Sequence, residues 1–335
     1  MNYKILFAAA LVLTFLFTVL ISRKLIPALK SRKMGQKILD IGPRWHKSKE
    51  GTPTMGGLAF IIAMMVVGAA CAVYLFIIDG KEAGLPFVFT LALGLAGGLI
   101  GCIDDRAKLR NQRNDGLTAA QKFLLQLGAA ALYLIGMAVV CKMGTELYIP
   151  YVGSTFDFGI FYYVISLILI CGIMNSVNLT DGIDGLASSV TIAVGVFFAV
   201  CGFINGACEP DGALVSLGAL IVGGCAGFLV YNLNPARVFM GDTGSLFLGG
   251  LVVGGAFMMG NPLIVVVCGL VYIIETASVM LQVSYFKLTH GKRLFKMSPI
   301  HHHFEKCGWS ENKVVIVFTA VTVIFSVVAF FGVAR

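Results

Sequence analysis

The chain has 335 residues, 58% of them hydrophobic and only 13% charged, which is far more apolar surface than a water-soluble core could hide. Its formal net charge of +8 comes from 25 Lys and Arg against 17 Asp and Glu, but no polar domain stands apart from the apolar runs to carry nucleic-acid binding. The composition is that of an all-α integral membrane protein, read as one polytopic domain over residues 1–335.

Apolar runs close to the roughly 20 residues that cross a bilayer recur along the chain. Ten spans are predicted, at approximately 5–22, 57–78, 85–103, 122–142, 160–176, 187–205, 211–231, 244–259, 263–288 and 314–333. The first could pass for a signal peptide, but Lys4 alone is a thin positive flank, no small-x-small cleavage site follows, and the strong positive flank lies downstream; it is read as retained. Arg23–Thr54, which follows it, and Lys287–Lys313, near the end, are long enough to fold over the membrane surface. Between spans four and five, Leu147-Tyr148-Ile149-Pro150 and Phe156-Asp157-Phe158 flank Gly153-Ser154 and predict a small hairpin. The ninth span exceeds what a bilayer requires and holds Glu275 and Gln282, which predicts tilt or a break; Glu275 either faces neighbouring helices or helps to shape a site. Nine cysteines lie mostly within spans without C-x-x-C spacing and read as small apolar packers.

One alternating set of connections carries all of the 25 Lys and Arg except Lys4, Lys81, Lys142 and Arg335. The positive-inside rule makes that set cytoplasmic and both termini periplasmic, as an even number of spans requires.

Three acidic clusters end spans on that same side. Asp104 and Asp105 close span three, where a helix C-terminus disfavours carboxylates by roughly 0.3–1 kcal/mol each unless Arg106, Lys108 or a metal compensates. Asp181 and Asp184 lie in Asn178-Leu179-Thr180-Asp181-Gly182-Ile183-Asp184-Gly185-Leu186 before span six. Helix capping explains one of them but not both, and a spacing of three puts them on one face if that turn is helical. Asp242, in Gly241-Asp242-Thr243-Gly244-Ser245, opens span eight, where capping again competes with phosphate binding at a helix N-terminus. Asn232 and Arg237 precede it, and oxygen ligands of this kind suit Mg2+ that shares its shell with a substrate phosphate.

Gly51-Thr52-Pro53-Thr54-Met55-Gly56-Gly57 opens span two and suits an anion, with Lys49 and Thr54 as candidate substrate contacts, although Lys47 and Lys49 also serve as topology markers. His301-His302-His303 cannot all point at one centre in regular structure, and no cysteine pair or H-E-x-x-H accompanies them as a zinc site would need; phosphate or sugar contacts by one or two imidazoles fit better. His301 is taken with the catalytic set, and His302 and His303 with the substrate contacts.

Taken in order, GTPTMGG, DDRAK, NLTDGIDGLA, NPARVFMGDTGS and HHHFEKCGW closely resemble the phospho-N-acetylmuramoyl-pentapeptide transferase family, within the polyprenyl-phosphate hexosamine-1-phosphate transferases, over essentially the whole chain. The resemblance implies transfer of phospho-MurNAc-pentapeptide from UDP-MurNAc-pentapeptide to undecaprenyl phosphate, with release of UMP and a requirement for Mg2+. It further implies ten transmembrane helices, a broken ninth helix, a periplasmic hairpin, a homodimer and a site facing the cytoplasm of the bacterial inner membrane. By the same resemblance, Asp242 matches the magnesium ligand, Asp104 and Asp105 the essential acidic pair, Lys108 and Lys122 the site lysines, and Asn232 a polar catalytic residue. Asn178, Asp181 and Asp184 match nucleoside-side residues, Phe239 a uracil-stacking ring, and Gln282 and His302 further nucleotide-side contacts.

Two chemistries stay open on the sequence: direct attack by the lipid phosphate, with Asp104 positioning or deprotonating it and Lys122 holding oxygens, or a covalent aspartyl-phosphate through Asp105. An N-acetylglucosamine-1-phosphate transferase is the nearest alternative enzyme. A cation- or proton-coupled transporter would also place aspartates between helices, but near the bilayer midplane, whereas these cluster at span ends.

Overall fold

The computed structural model describes residues 3–31, 49–111, 116–204 and 211–333. It is a helical bundle with one small hairpin: α1 (Tyr3–Ser31), α2 (Gly57–Ile78), α3 (Lys81–Asn111), α4 (Ala119–Val139), β1 (Glu146–Ile149), β2 (Ser154–Asp157), α5 (Ile160–Thr180), α6 (Leu186–Ile204), α7 (Gly212–Asn232), α8 (Gly241–Met258), α9 (Ile264–Cys268), α10 (Leu270–Leu288), α11 (Ile300–Lys306) and α12 (Glu311–Phe331). Among the described residues nine helices, α1 to α8 and α12, are long and apolar enough to cross a membrane.

The ninth predicted span, 263–288, divides at Gly269 into α9 and α10. Glu275, Gln282 and Lys287 make α10 too polar to count among the nine. Two other predicted boundaries move outward. α1 runs on through Arg23, Lys24 and Pro27 to Ser31, and α3 runs on to Asn111, because Asp, Lys and Arg end an apolar run without ending a helix. Asp104 and Asp105 therefore sit inside α3 and not at its C-terminus, so the dipole penalty expected there does not apply.

α8 is the axis of the bundle. Every residue from Thr243 to Phe257 is buried, as befits a helix apolar on all sides, and α3 and α5 pack along it. Backbones must touch for this to work. A Cβ at Gly97 would meet the Leu246 carbonyl at 2.5 Å, and one at Gly101 would overlap the carbonyl of Asp242. Small residues at such seams are how helices approach closely in lipid.

The two ends of the bundle differ. At one, the Tyr3 hydroxyl donates to Asp79 at 2.6 Å, Asp211 caps α7 by accepting from the N–H groups of Ala213 and Leu214, and Tyr151 of the hairpin donates to the Val328 carbonyl at 3.0 Å. The hairpin is antiparallel, with Glu146 opposite Asp157 and Ile149 opposite Ser154. All three acidic motifs gather at the other end.

Candidate active site

The site begins with a helix that cannot cap itself. Met240 precedes α8 and offers no side-chain acceptor, so the first N–H groups of α8 need one from elsewhere. Asp105 of α3 supplies it: one carboxylate oxygen accepts from Asp242 N–H at 3.2 Å, and the other from Thr243 N–H at 2.9 Å and the Thr243 hydroxyl at 2.7 Å. A buried carboxylate at a helix N-terminus is favourable on both hydrogen-bonding and dipole grounds. Capping was a competing explanation for Asp242; the residue that caps is Asp105, on another helix.

The Asp242 side chain is thereby left free to face the cluster. Its Oδ2 receives Lys108 at 2.8 Å and Lys122 at 2.6 Å, and its Oδ1 accepts from Asn178 at 2.9 Å. Both ammonium groups also bear on Asp104 Oδ2, at 3.0 Å from Lys108 and 3.4 Å from Lys122. Lys122 donates to Asn178 at 3.2 Å, and Asn178 donates to the Ser245 hydroxyl at 2.8 Å. Asp104 Oδ1 accepts from Leu117 N–H at 2.6 Å, so this carboxylate ties α3 to the start of α4 while it shares the lysines.

Lys122 is aimed by its own helix. Thr118 and Gln121 form a capping box at the start of α4, each accepting the other's backbone N–H, at 3.2 and 3.0 Å. One turn further on, Gln126 and Asn175 exchange amide hydrogen bonds and lock α4 to α5, which carries Asn178.

The second acidic motif folds into a turn, not a helical face, so Asp181 and Asp184 part company. Neither caps α6. Asp184 Oδ1 pairs with Lys49 at 2.8 Å, and its Oδ2 accepts from the Asn234 amide and Ala236 N–H, each at 3.0 Å. Lys49 also meets Glu311 at 2.6 Å. Asp181 receives no hydrogen bond or ion pair at its carboxylate from the described residues, and burial, with the nearby charges of Asp242, Asp105 and Asp184, holds that carboxyl well above its usual range. It is the open acid of the site.

Several expected contacts are turned to holding loops. Asn232 accepts from Gly185 N–H at 3.1 Å and donates to the Val238 carbonyl at 2.9 Å, joining the turn before α6 to the approach to α8. Gln282 clasps its own loop, accepting from Leu294 and Phe295 N–H and donating to the Phe295 carbonyl at 3.1 Å. Phe239 is half-buried, and its backbone bonds to Pro53 and Gly56 bring buried Thr54 beside the start of α8. The three histidines diverge, as their adjacency demanded: His301 to Glu275 at 3.0 Å, His302 to Glu305 at 2.6 Å, and His303 to Lys296 N–H at 3.1 Å.

Reading the sequence missed Glu311, Gln121 and Gln126. Glu311 left a trace as an acid in the first turn after the Ser310 cap of α12, and Gln121 as the last residue of the Thr118-x-x-Gln121 capping-box pattern; Gln126 left none. Among the described residues no three His, Cys, Asp or Glu side chains converge as a metal cage. What Asp242 offers is a single carboxylate, a hard oxygen ligand that fits Mg2+ completing its shell from waters and phosphate.

A model described as Glycosyl transferase family 4 matches residues 87–261, and a phospho-N-acetylmuramoyl-pentapeptide-transferase signature matches residues 49–61. The chain is similar to curated proteins named phospho-N-acetylmuramoyl-pentapeptide-transferase. The one from Clostridium acetobutylicum is 44% identical over 96% of this chain and 97% of its own. That from Desulforamulus reducens is 44% identical over 99% and 97%. That from Staphylococcus aureus is 43% identical over 94% of each.

Proposed function

The chain belongs to the phospho-N-acetylmuramoyl-pentapeptide-transferase family, and from that membership we propose that it transfers phospho-MurNAc-pentapeptide from UDP-MurNAc-pentapeptide to undecaprenyl phosphate, giving lipid I and UMP. The observation that carries this reading is the convergence of Asp242, Lys108, Lys122 and Asn178 at the start of α8. Phosphoryl transfer asks a protein for alignment and for cancellation of oxygen charge, and this cluster offers both.

The acceptor phosphate, with a second pKa near 6, is largely dianionic at neutral pH and needs little help from a base. One of its oxygens bonds to the sugar-linked phosphorus, the bond from that phosphorus to the bridging oxygen breaks, and the electron pair leaves on UMP. Lys108 and Lys122 shift from their carboxylates onto the phosphate oxygens, and Asp104 keeps the two ammonium groups in register. When bound at Asp242, Mg2+ supplies Lewis-acid neutralisation of the diphosphate. Asp105 has both oxygens engaged on α8, which supports direct displacement over a covalent aspartyl-phosphate. Inversion at a chiral phosphorus is the expected outcome, and retention overturns it.

The family reading carries with it the cytoplasmic face of the bacterial inner membrane, ten spans with both termini periplasmic, and a homodimer. The lysines and arginines gathered at the aspartate end support that orientation, and mass measurement in nanodiscs tests the assembly.

The deciding experiment measures UMP release from UDP-MurNAc-pentapeptide and undecaprenyl phosphate with Mg2+ titrated from zero, in the wild type and in Asp242→Asn. Mg2+-dependent release, lost by at least about a hundredfold in the variant, is expected. Full turnover by Asp242→Asn removes the metal assignment, and release from UDP-N-acetylglucosamine alone reassigns the substrate.

A further inference from the structure

Glu275 and His301 form a pair of ionisable side chains with no exposed surface. Both side chains are fully buried, and Nδ1 of His301 on α11 lies 3.0 Å from Oε2 of Glu275 on α10. Burying a carboxylate inside a helical bundle is costly even when it is paired, and apolar residues would pack the same space more cheaply, so such a residue is a functional hypothesis by default.

The pair has a direction. A carboxylate on Nδ1 makes that nitrogen the donor and fixes the ring plane, as it does for metal-bound and triad histidines. The opposite edge of the ring abuts Gly182, where a Cβ would overlap Nε2, and Nε2 has no hydrogen-bond partner among the described residues. Gly182 directly follows Asp181, the one acid of the cluster whose carboxylate is left open. His302 and His303 bond to Glu305 and to Lys296 N–H, whereas the His301 ring lies against this turn.

We propose that Glu275 is a positioning residue for nucleotide binding: it holds the His301 ring against Gly182 and so sets where Asp181 meets the substrate. This rests on the reading that the substrate is a UDP-linked sugar. Removing the carboxylate lets the ring rotate and the turn relax, which weakens nucleotide capture and leaves the lysine cluster at α8 intact.

The test separates the two substrates. In nanodiscs, KM for UDP-MurNAc-pentapeptide, KM for undecaprenyl phosphate, kcat and Tm are measured for the wild type, Glu275→Leu, Glu275→Gln and Gly182→Ala, with calorimetric binding of the UDP-sugar alongside. Glu275→Leu raises the nucleotide KM and Kd by about tenfold, the size of one charge-assisted hydrogen bond, while kcat and the lipid KM stay within about twofold. Glu275→Gln, whose amide oxygen still accepts from Nδ1, recovers most of the loss. Gly182→Ala puts a methyl group against Nε2, displaces the ring, and reproduces the nucleotide defect while kcat and the lipid KM are spared. An unchanged nucleotide KM in Glu275→Leu overturns the proposal, and so does a parallel loss of kcat, both KM values and Tm, which marks a structural role. If Glu275→Leu fails to fold, an unchanged nucleotide KM in Gly182→Ala overturns it alone. A wild type that binds the UDP-sugar but releases no UMP defeats the functional reading instead, and the Kd values still decide the role of Glu275.

Discussion

Two lysine-bearing clusters sit side by side at one end of the bundle, and they divide charge differently. At the start of α8, two ammonium groups, Lys108 and Lys122, are shared between the same two carboxylates, Asp104 and Asp242. At the turn before α6, a single ammonium group, Lys49, serves Asp184 and Glu311, and the rest of Asp184 is satisfied by an amide and a backbone N–H. In the first, each cation bears on both carboxylates, Lys108 at 2.8 and 3.0 Å and Lys122 at 2.6 and 3.4 Å, so on the proposed reading a phosphate oxygen can take one of several shared contacts without leaving an ammonium group bare. In the second, the carboxylate is saturated by fixed groups and shapes the turn, which on the proposed reading leaves the nucleotide to Asp181. A site for charge in motion and a scaffold for recognition can thus be built from the same residue types.

The sharpest way to break this comparison is Lys122→Met. Lys122 touches Asp104, Asn178 and Asp242, so its loss removes one of two cations from the transfer side and leaves both carboxylates to Lys108 alone. UMP release is expected to fall by about a hundredfold to a thousandfold in kcat, with the nucleotide KM little changed. A KM effect of equal size would erase the distinction between the clusters.

Next in size is Asp105→Asn. Its amide can accept from only one side and would turn a donor toward N–H groups that are already donors, so α8 loses part of its cap. A stability loss of about 1–3 kcal/mol, read from thermal unfolding, is expected together with a fall in turnover of about tenfold. Complete loss of turnover at unchanged Tm is the signature of a nucleophile, and it would reopen the covalent route.

Lys49→Met probes the other cluster. Loss of the shared cation sets Asp184 and Glu311 against each other and loosens the turn, so the nucleotide KM should rise about tenfold while kcat is spared. Steady-state kinetics with the lipid held saturating reads this directly.

What the sequence shows of such a site follows from how far each signal travels along the chain. Asp104, Asp181 and Asp242 stand out because a polar run interrupts apolar helices, which is local information. Hydropathy marks where the chain leaves lipid but not where a helix stops, so α1 and α3 outran their predicted ends through Lys, Arg and Asp. Polar residues inside an overlong apolar run are also local and predict a tilt or a break in the ninth span, but not its position: the break falls at Gly269, ahead of Glu275 and Gln282. Partnerships across the bundle left no such trace. That Asp105 caps a helix 137 positions later, or that Glu311 reaches Lys49 across 262, depends on which helices become neighbours, and no periodicity encodes that.

The smallest expected effect tests whether the aim of Lys122 is set within its own helix. Thr118→Ala removes the hydroxyl that accepts from Gln121 N–H, four residues before Lys122, and keeps only the half of the box in which the Gln121 side chain accepts from the N–H of residue 118. Loss of a cap of this kind costs about 0.5–2 kcal/mol in a free helix. Here the Gln126–Asn175 amide pair holds α4 to α5 one turn further on, so fraying should stop before it reaches the lysine. Turnover should then fall by no more than about twofold while Tm drops measurably. Adding Gln126→Leu removes the second restraint, and the two changes together should lower kcat by more than the product of the single effects. If the double variant is merely multiplicative, Lys122 is held by its carboxylate partners alone, and the helix that carries it plays no part in where its charge is delivered.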